Sequence, residues 1–123
     1  MELGEGKRVY RMEATSAGPT FGPLCLDLQN VSLCNSETGL TSRMYPKEYQ
    51  MLWLLMRANG GWVPTKTLCN FMFDRAAEPP VLQNEYRNFY SVMQRVRMHL
   101  VDVSNQRITI HTMREYGYSI GWV

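Results

Sequence analysis

Polar and apolar positions change period three times along the chain, and each change marks a class of element. From Leu24 the segment LCLDL alternates, placing Leu24, Leu26 and Leu28 on one face; Gln29-Asn30 reads as a turn, and VSLC alternates again before the polar loop NSETG. GLTSRMY supplies a third short strand, ended by Pro46, which the first position of a helix tolerates because no amide hydrogen is needed there. In KEYQMLWLLMRANGG the period lengthens: Tyr49, Leu52 and Met56, with Met51 and Leu55, follow helical spacing until Gly60-Gly61 stops the helix. Val63-Pro64 then opens a shorter helix, TKTLCNFMF, with Leu68, Phe71 and Met72 as its apolar stripe. DRAAEPP, from Asp74 to Pro80, reads as a loop because Pro79-Pro80 continues neither helix nor inner strand.

A third helix is expected over NEYRNFYSVMQRVRMHL. Its core positions are Tyr86, Phe89, Met93, Val96 and Leu100, which leaves Arg87, Asn88, Ser91, Gln94, Arg95 and His99 on the outward side. After a turn at VDVSNQ, RITIHT and YGYSIGWV are two strands separated by Met113-Arg114-Glu115, a hairpin with an arginine at its tip. Residues 1–20 mix charge, Gly and Ser without a sustained period, although KRVYRM would pair as an edge strand. The first twenty residues read as a tail with no firm element, and 21–123 as the folded domain. The fold class is α+β: a small N-terminal antiparallel sheet, three helices and a C-terminal hairpin.

Composition narrows the function classes. At 123 residues and 45% hydrophobic content the chain supports one cored domain and not two. Thirteen Lys and Arg against eleven Asp and Glu give a net charge of +2, so any basic surface must be local. Cys25, Cys34 and Cys69 are odd in number and share no C-x-x-C spacing, which suggests neither a disulfide framework nor a zinc site but buried, reduced thiols. No apolar run approaches the ~18 residues of a membrane span, and MELGEGKRVYRME has no apolar core of a signal peptide. These features point to a soluble, unexported, cytoplasmic protein without a membrane partner. His99 and His111 lack companions at ligand spacing, no nucleophile–base spacing or phosphate-binding Gly-rich loop occurs, and an enzyme with a metal or cofactor is not expected.

The order of strands, three helices and a closing hairpin is that of a winged helix-turn-helix, and about residues 21 to 121 resemble the OmpR/PhoB-like DNA-binding domain of bacterial response regulators. ITIHTMREYGYSI looks like that family's wing, with Ile110, Thr112, Arg114, Gly117 and Tyr118 in matching places. MYPKEYQMLWLLMRANGGWV matches its first helix at Glu48, Tyr49, Met51 and Leu52, and RVRMHL matches the end of its recognition helix at Arg95, Arg97 and Leu100. Three departures stand out. Tyr45 replaces the capping Thr, so the capping box is lost and Pro46 with Glu48 must define the helix start. Glu115 and Tyr116 replace a glycine and a small residue after the wing arginine, and Met98 with His99 replace two lysine-like positions. The family's receiver domain has no counterpart in this sequence, so a stand-alone effector domain is expected, and control by phosphorylation does not follow from the resemblance.

The resemblance implies a sequence-specific regulator of transcription on double-stranded DNA. Arg donates two bonds to guanine, and Asn or Gln pairs with adenine, in the major groove. Arg87, Asn88, Ser91, Gln94, Arg95, Arg97 and His99 are the candidate contacts on the third helix, with Arg97 assigned to a phosphate or an internal carboxylate. Arg114 on the hairpin is the candidate for the minor groove, whose negative potential attracts an inserted arginine. Family resemblance further implies two copies on repeated half-sites, a nucleoid location, and RNA polymerase as a partner of the loop carrying Asp74, Arg75 and Glu78. The rival expectation is a winged helix that kept its scaffold to hold a protein, with little DNA affinity.

Overall fold

A computed structural model describes residues 18–73 and 83–123. KRVYRM and the whole of DRAAEPP, including Asp74, Arg75 and Glu78, lie outside the described residues. Four strands come first, β1 (Thr20–Phe21), β2 (Leu24–Asp27), β3 (Ser32–Asn35) and β4 (Thr41–Arg43), hydrogen-bonded in that order as an antiparallel sheet. Leu24, Leu26 and Leu33 enter the core from its inner face, as the alternation requires, while Leu28 lies beyond β2 and is only partly buried. The expected third strand shrinks to Thr41–Arg43, and β1 is an addition: two residues escape the pattern because no period can show in so short a strand.

The helix α1 (Pro46–Arg57) starts where Pro46 places it. Tyr45 makes no side-chain cap, but the Glu48 carboxylate (Oε1) accepts the Tyr45 N–H at 3.1 Å. Half of the capping box thus survives the loss of Thr. Every residue from Tyr49 to Met56 is buried except Gln50, so the one-sided apolar stripe expected for α1 is a correction: this helix runs through the centre of the molecule, touching both other helices and both sheets. Gly60, with φ of 90°, ends it together with Asn59 at 51°.

Val63–Pro64 is not the first turn of a helix but a strand, β5, and α2 (Thr65–Met72) begins only after it. The third helix, α3 (Gln83–Ser104), runs four residues into the expected turn: Val103 continues the buried stripe of Phe89, Val92, Met93, Val96 and Leu100. It stops at Asn105 and Gln106, both left-handed (φ 60° and 65°), and the Ser104 hydroxyl accepts the Arg107 and Ile108 N–H groups at 3.2 and 3.0 Å. Tyr86, expected in the core, is only partly buried. The hairpin β6 (Ile108–Met113) and β7 (Gly117–Trp122) closes the chain, and β5 pairs with β7, making a three-stranded sheet in the order β5-β7-β6.

The N-terminal sheet is fastened to α3 by Asn35. Its buried amide donates to the Val103 carbonyl at 2.9 Å while its oxygen accepts the Glu37 and Thr38 N–H groups at 2.9 and 3.2 Å. Every hydrogen-bonding direction of the side chain but one is thereby used, which makes a buried amide tolerable. Among the three cysteines only Cys69 is fully buried; Cys25 and Cys34 are partly exposed and face each other across β2 and β3, a correction to the expectation of three core thiols. Among the described residues, no helix is long and apolar enough to cross a membrane.

Candidate nucleic-acid interface

With 22 residues, α3 is about 33 Å long and presents one long polar face. Arg87, Asn88, Ser91, Gln94 and Arg95 are exposed on it, in the helical register the sequence implies. Tyr90 shares this exposure, as does Met98 further on. In the first half of the face Asn88 and Ser91 are exposed, whereas the second half is drawn inward.

The cause is Glu48. Its carboxylate is 1% exposed, yet it is charged, so it must be met by donors. Arg95 supplies one through Nε at 2.7 Å and His99 another through Nε2 at 2.9 Å. Burial pushes the Glu48 carboxyl up, but the hydrogen bonds from Arg95, the Tyr45 amide and His99 outweigh it and hold the group below the ordinary glutamate value. On its other side the His99 ring is bonded through Nδ1 to the Ser42 hydroxyl on β4 at 2.6 Å. Two of the expected DNA contacts are therefore first of all ties between α3, α1 and β4. Arg95 remains 50% exposed and keeps the outer part of its guanidinium at the surface; His99 is mostly covered. These groups border a cavity of about 750 Å³ between β4 and the second half of α3, which Met98 and Asp102 also line.

Within the fold Arg97 is tied to the hairpin: Nη2 donates to the Thr112 hydroxyl at 2.8 Å and to the Ile110 carbonyl at 3.4 Å, with Gln94 Oε1 at 3.4 Å from Nη1. It staples the helix to β6, so the angle between α3 and the hairpin is set by a charged side chain with fixed fork geometry.

Arg114 is exposed at the hairpin tip. The turn it opens has Glu115 in the left-handed region at φ 65°, closed by a Tyr116 N–H to Met113 carbonyl bond of 3.0 Å. Glycine adopts that conformation freely, whereas the Glu115 side chain there costs free energy. Gly117 answers a need between strands: a Cβ would lie 2.7 Å from the Val63 carbonyl carbon and 2.9 Å from Pro64 Cα, so only glycine lets β5 approach β7. The Thr65 N–H then bonds the Tyr116 carbonyl at 3.0 Å, tying the start of α2 to the tip.

Between α2, the first turns of α3 and the tip lies a cleft of about 700 Å³, lined by Lys66, Tyr86, Tyr90, Arg114 and Tyr116 among others. Lys66, Tyr90 and Tyr116 were no part of the expected site. Nothing local in the sequence places Lys66 beside Arg114, because the link runs through the β5–β7 pairing. His111 is bonded to the Trp122 carbonyl at 3.0 Å, and among the described residues no group of three or more His, Cys, Asp and Glu could hold a metal ion.

No protein-family model matches the sequence, and no curated protein does. Solved structures do. The DNA-binding domain of Escherichia coli CadC superposes with a TM-score of 0.67 at 15% identity, covering 89% of this chain and all of that one. The C-terminal domain of NsrR, the nisin resistance regulator and a lantibiotic response regulator, has a TM-score of 0.61 at 20% identity over 81% of this chain and 93% of its own. The Klebsiella pneumoniae RstA DNA-binding domain, solved in complex with the RstA box, has a TM-score of 0.59 at 22% identity over 83% of this chain and 94% of its own. The strand order, the three helices and the hairpin on β5 thus give this chain the winged helix-turn-helix fold of OmpR/PhoB-type DNA-binding domains.

Proposed function

We propose that the protein binds double-stranded DNA sequence-specifically and regulates transcription, with α3 in the major groove and the hairpin near the minor groove. The observation that carries this reading is the exposed run Arg87, Asn88, Ser91 and Gln94 on a helix whose angle to an arginine-tipped hairpin is fixed by Arg97. The solved RstA domain of the same fold is in complex with a DNA box, which supports double-stranded DNA as the partner here. In this reading Arg87, Asn88 and Gln94 meet base edges, Ser91 and the outer guanidinium of Arg95 meet the sugar-phosphate backbone, and Arg114 enters the minor groove. His99 acts by holding Glu48 and the end of the helix. The protein works at the nucleoid, and two copies occupy repeated half-sites about one helical turn apart. The loop with Asp74, Arg75 and Glu78 is the proposed contact for RNA polymerase.

Selection from a random duplex library tests the proposal. A preferred site should emerge, and with about four phosphate contacts log K should fall against log salt with a slope of about −3.6. A flat salt response, or no enriched site, would remove the reading. A second reading rests on Tyr90, Met98, Met113 and Tyr116, which are exposed on or beside the same face and suit a protein surface better than a phosphate backbone. Capture of a protein partner with salt-insensitive affinity would favour it.

A further inference from the structure

We propose that Cys25 and Cys34 form a reversible intrachain disulfide, making the outer face of the N-terminal sheet a modification site for low-molecular-weight disulfide oxidants such as oxidised glutathione. The two residues are direct partners in the β2–β3 register. Ser36 N–H to Pro23 carbonyl, and Asn35 N–H to Leu40 carbonyl, both 2.8 Å, fix the alternation of the ladder. Cys25 and Cys34 therefore fall on a hydrogen-bonded pair, with Cα atoms about 5.5 Å apart, inside the ~4.4–6.8 Å span that a disulfide bridges. The Cys25 thiol already lies 3.7 Å from the Cys34 carbonyl oxygen.

Both side chains belong to the outer face. Leu24, Leu26 and Leu33 point into the core, while Thr20 and Thr41, the partners flanking the cysteines on β1 and β4, are exposed. Both residues are partly exposed and neither belongs to the buried core cluster, so oxidant can reach the pair without unfolding. Cys69, fully buried in α2, shares neither property. Burial pushes the Cys34 thiol up, and Cys25 and Asp27 add to the effect, so little Cys34 thiolate is present for the first attack.

The exchange balances. The Cys25 thiolate attacks one sulfur of the oxidised disulfide and expels one thiolate; Cys34, losing its proton, attacks the Cys25 sulfur and expels the second. Two protein thiols lose two protons and two electrons, and the oxidant leaves as two thiols. Cys34 immediately precedes Asn35, the residue that fastens this sheet to α3, so the bond would form beside that anchor.

The test uses the full chain in buffers of graded oxidised-to-reduced glutathione, quenched with acid, unfolded, alkylated with N-ethylmaleimide and weighed intact. The proposal expects a species lighter by two hydrogens that takes up a single alkyl group, at Cys69, and that dithiothreitol reverts. Cys69→Ser should still form the bond, whereas Cys34→Ser should retain one glutathione on Cys25. Full alkylation of all three thiols across the series, a persistent glutathione adduct on the wild-type chain, or oxidation only to intermolecular dimers would overturn it.

Discussion

Glu48 is the residue on which the interior electrostatics turn. Arg95→Ala removes one of its donors and should cost about 1–2 kcal/mol, the lower part of the range for hydrogen bonds to charged groups, because Arg95 is half exposed. On DNA the same variant should lose affinity for all sequences alike, while Asn88→Ala should cost about 1–3 kcal/mol on the preferred site and relax specificity there. Denaturant titration and binding to specific and random duplexes measure both; a specificity change confined to Arg95→Ala would assign base readout to it instead. The pH dependence of stability has a definite sign. The Glu48 carboxyl is held below its ordinary value, near 4.5, so its contribution is fully present above that value and is lost as pH falls through the depressed one. Thermal unfolding of wild type and Glu48→Gln should differ by a constant amount at neutral pH and converge as the solution is acidified below the ordinary glutamate value. A gap that is unchanged in acid would show that the charge is not what Glu48 contributes.

At the scale of the element, the hairpin carries two opposed backbone demands. Glu115 occupies a left-handed position that glycine adopts without penalty. Glu115→Gly should therefore stabilise the protein by up to about 1 kcal/mol, and, by removing a carboxylate beside Arg114, should strengthen DNA binding. Gly117 allows none of this latitude: Gly117→Ala sets a methyl group against the Val63 carbonyl and should destabilise by about 1–3 kcal/mol, separating β5 from β7. Calorimetry of the two variants should give shifts in opposite directions. Arg114→Ala should weaken binding most where an A-tract flanks the major-groove site, since narrow grooves attract arginine most strongly, and G·C-rich flanks should show less. Equal losses on both flanks would move Arg114 from the groove to a phosphate.

For the whole molecule, the local grammar of the sequence was enough to specify what the elements are. Alternation at Leu24–Asp27, helical spacing after Pro46 and along α3, and the paired strands around Arg114 each record which side of a segment is buried, and that information is carried by neighbours in the chain. The element order then implied the winged-helix arrangement and the exposed positions Arg87, Asn88, Ser91, Gln94 and Arg114. Pattern could not reveal that α1 is buried nearly all round, because a stripe reports one packed face and a central helix has several. Nor could it reveal partnerships between distant positions: Glu48 with Arg95, 47 residues on, and with His99, 51 residues on; Arg97 with Thr112; Gly117 against Val63; Cys25 beside Cys34. Periodicity fixes which way a side chain faces. What it meets there is decided only when sheets and helices pack, and that packing gave Arg95 and His99 a buried carboxylate to hold and left two expected core thiols as a partly exposed pair.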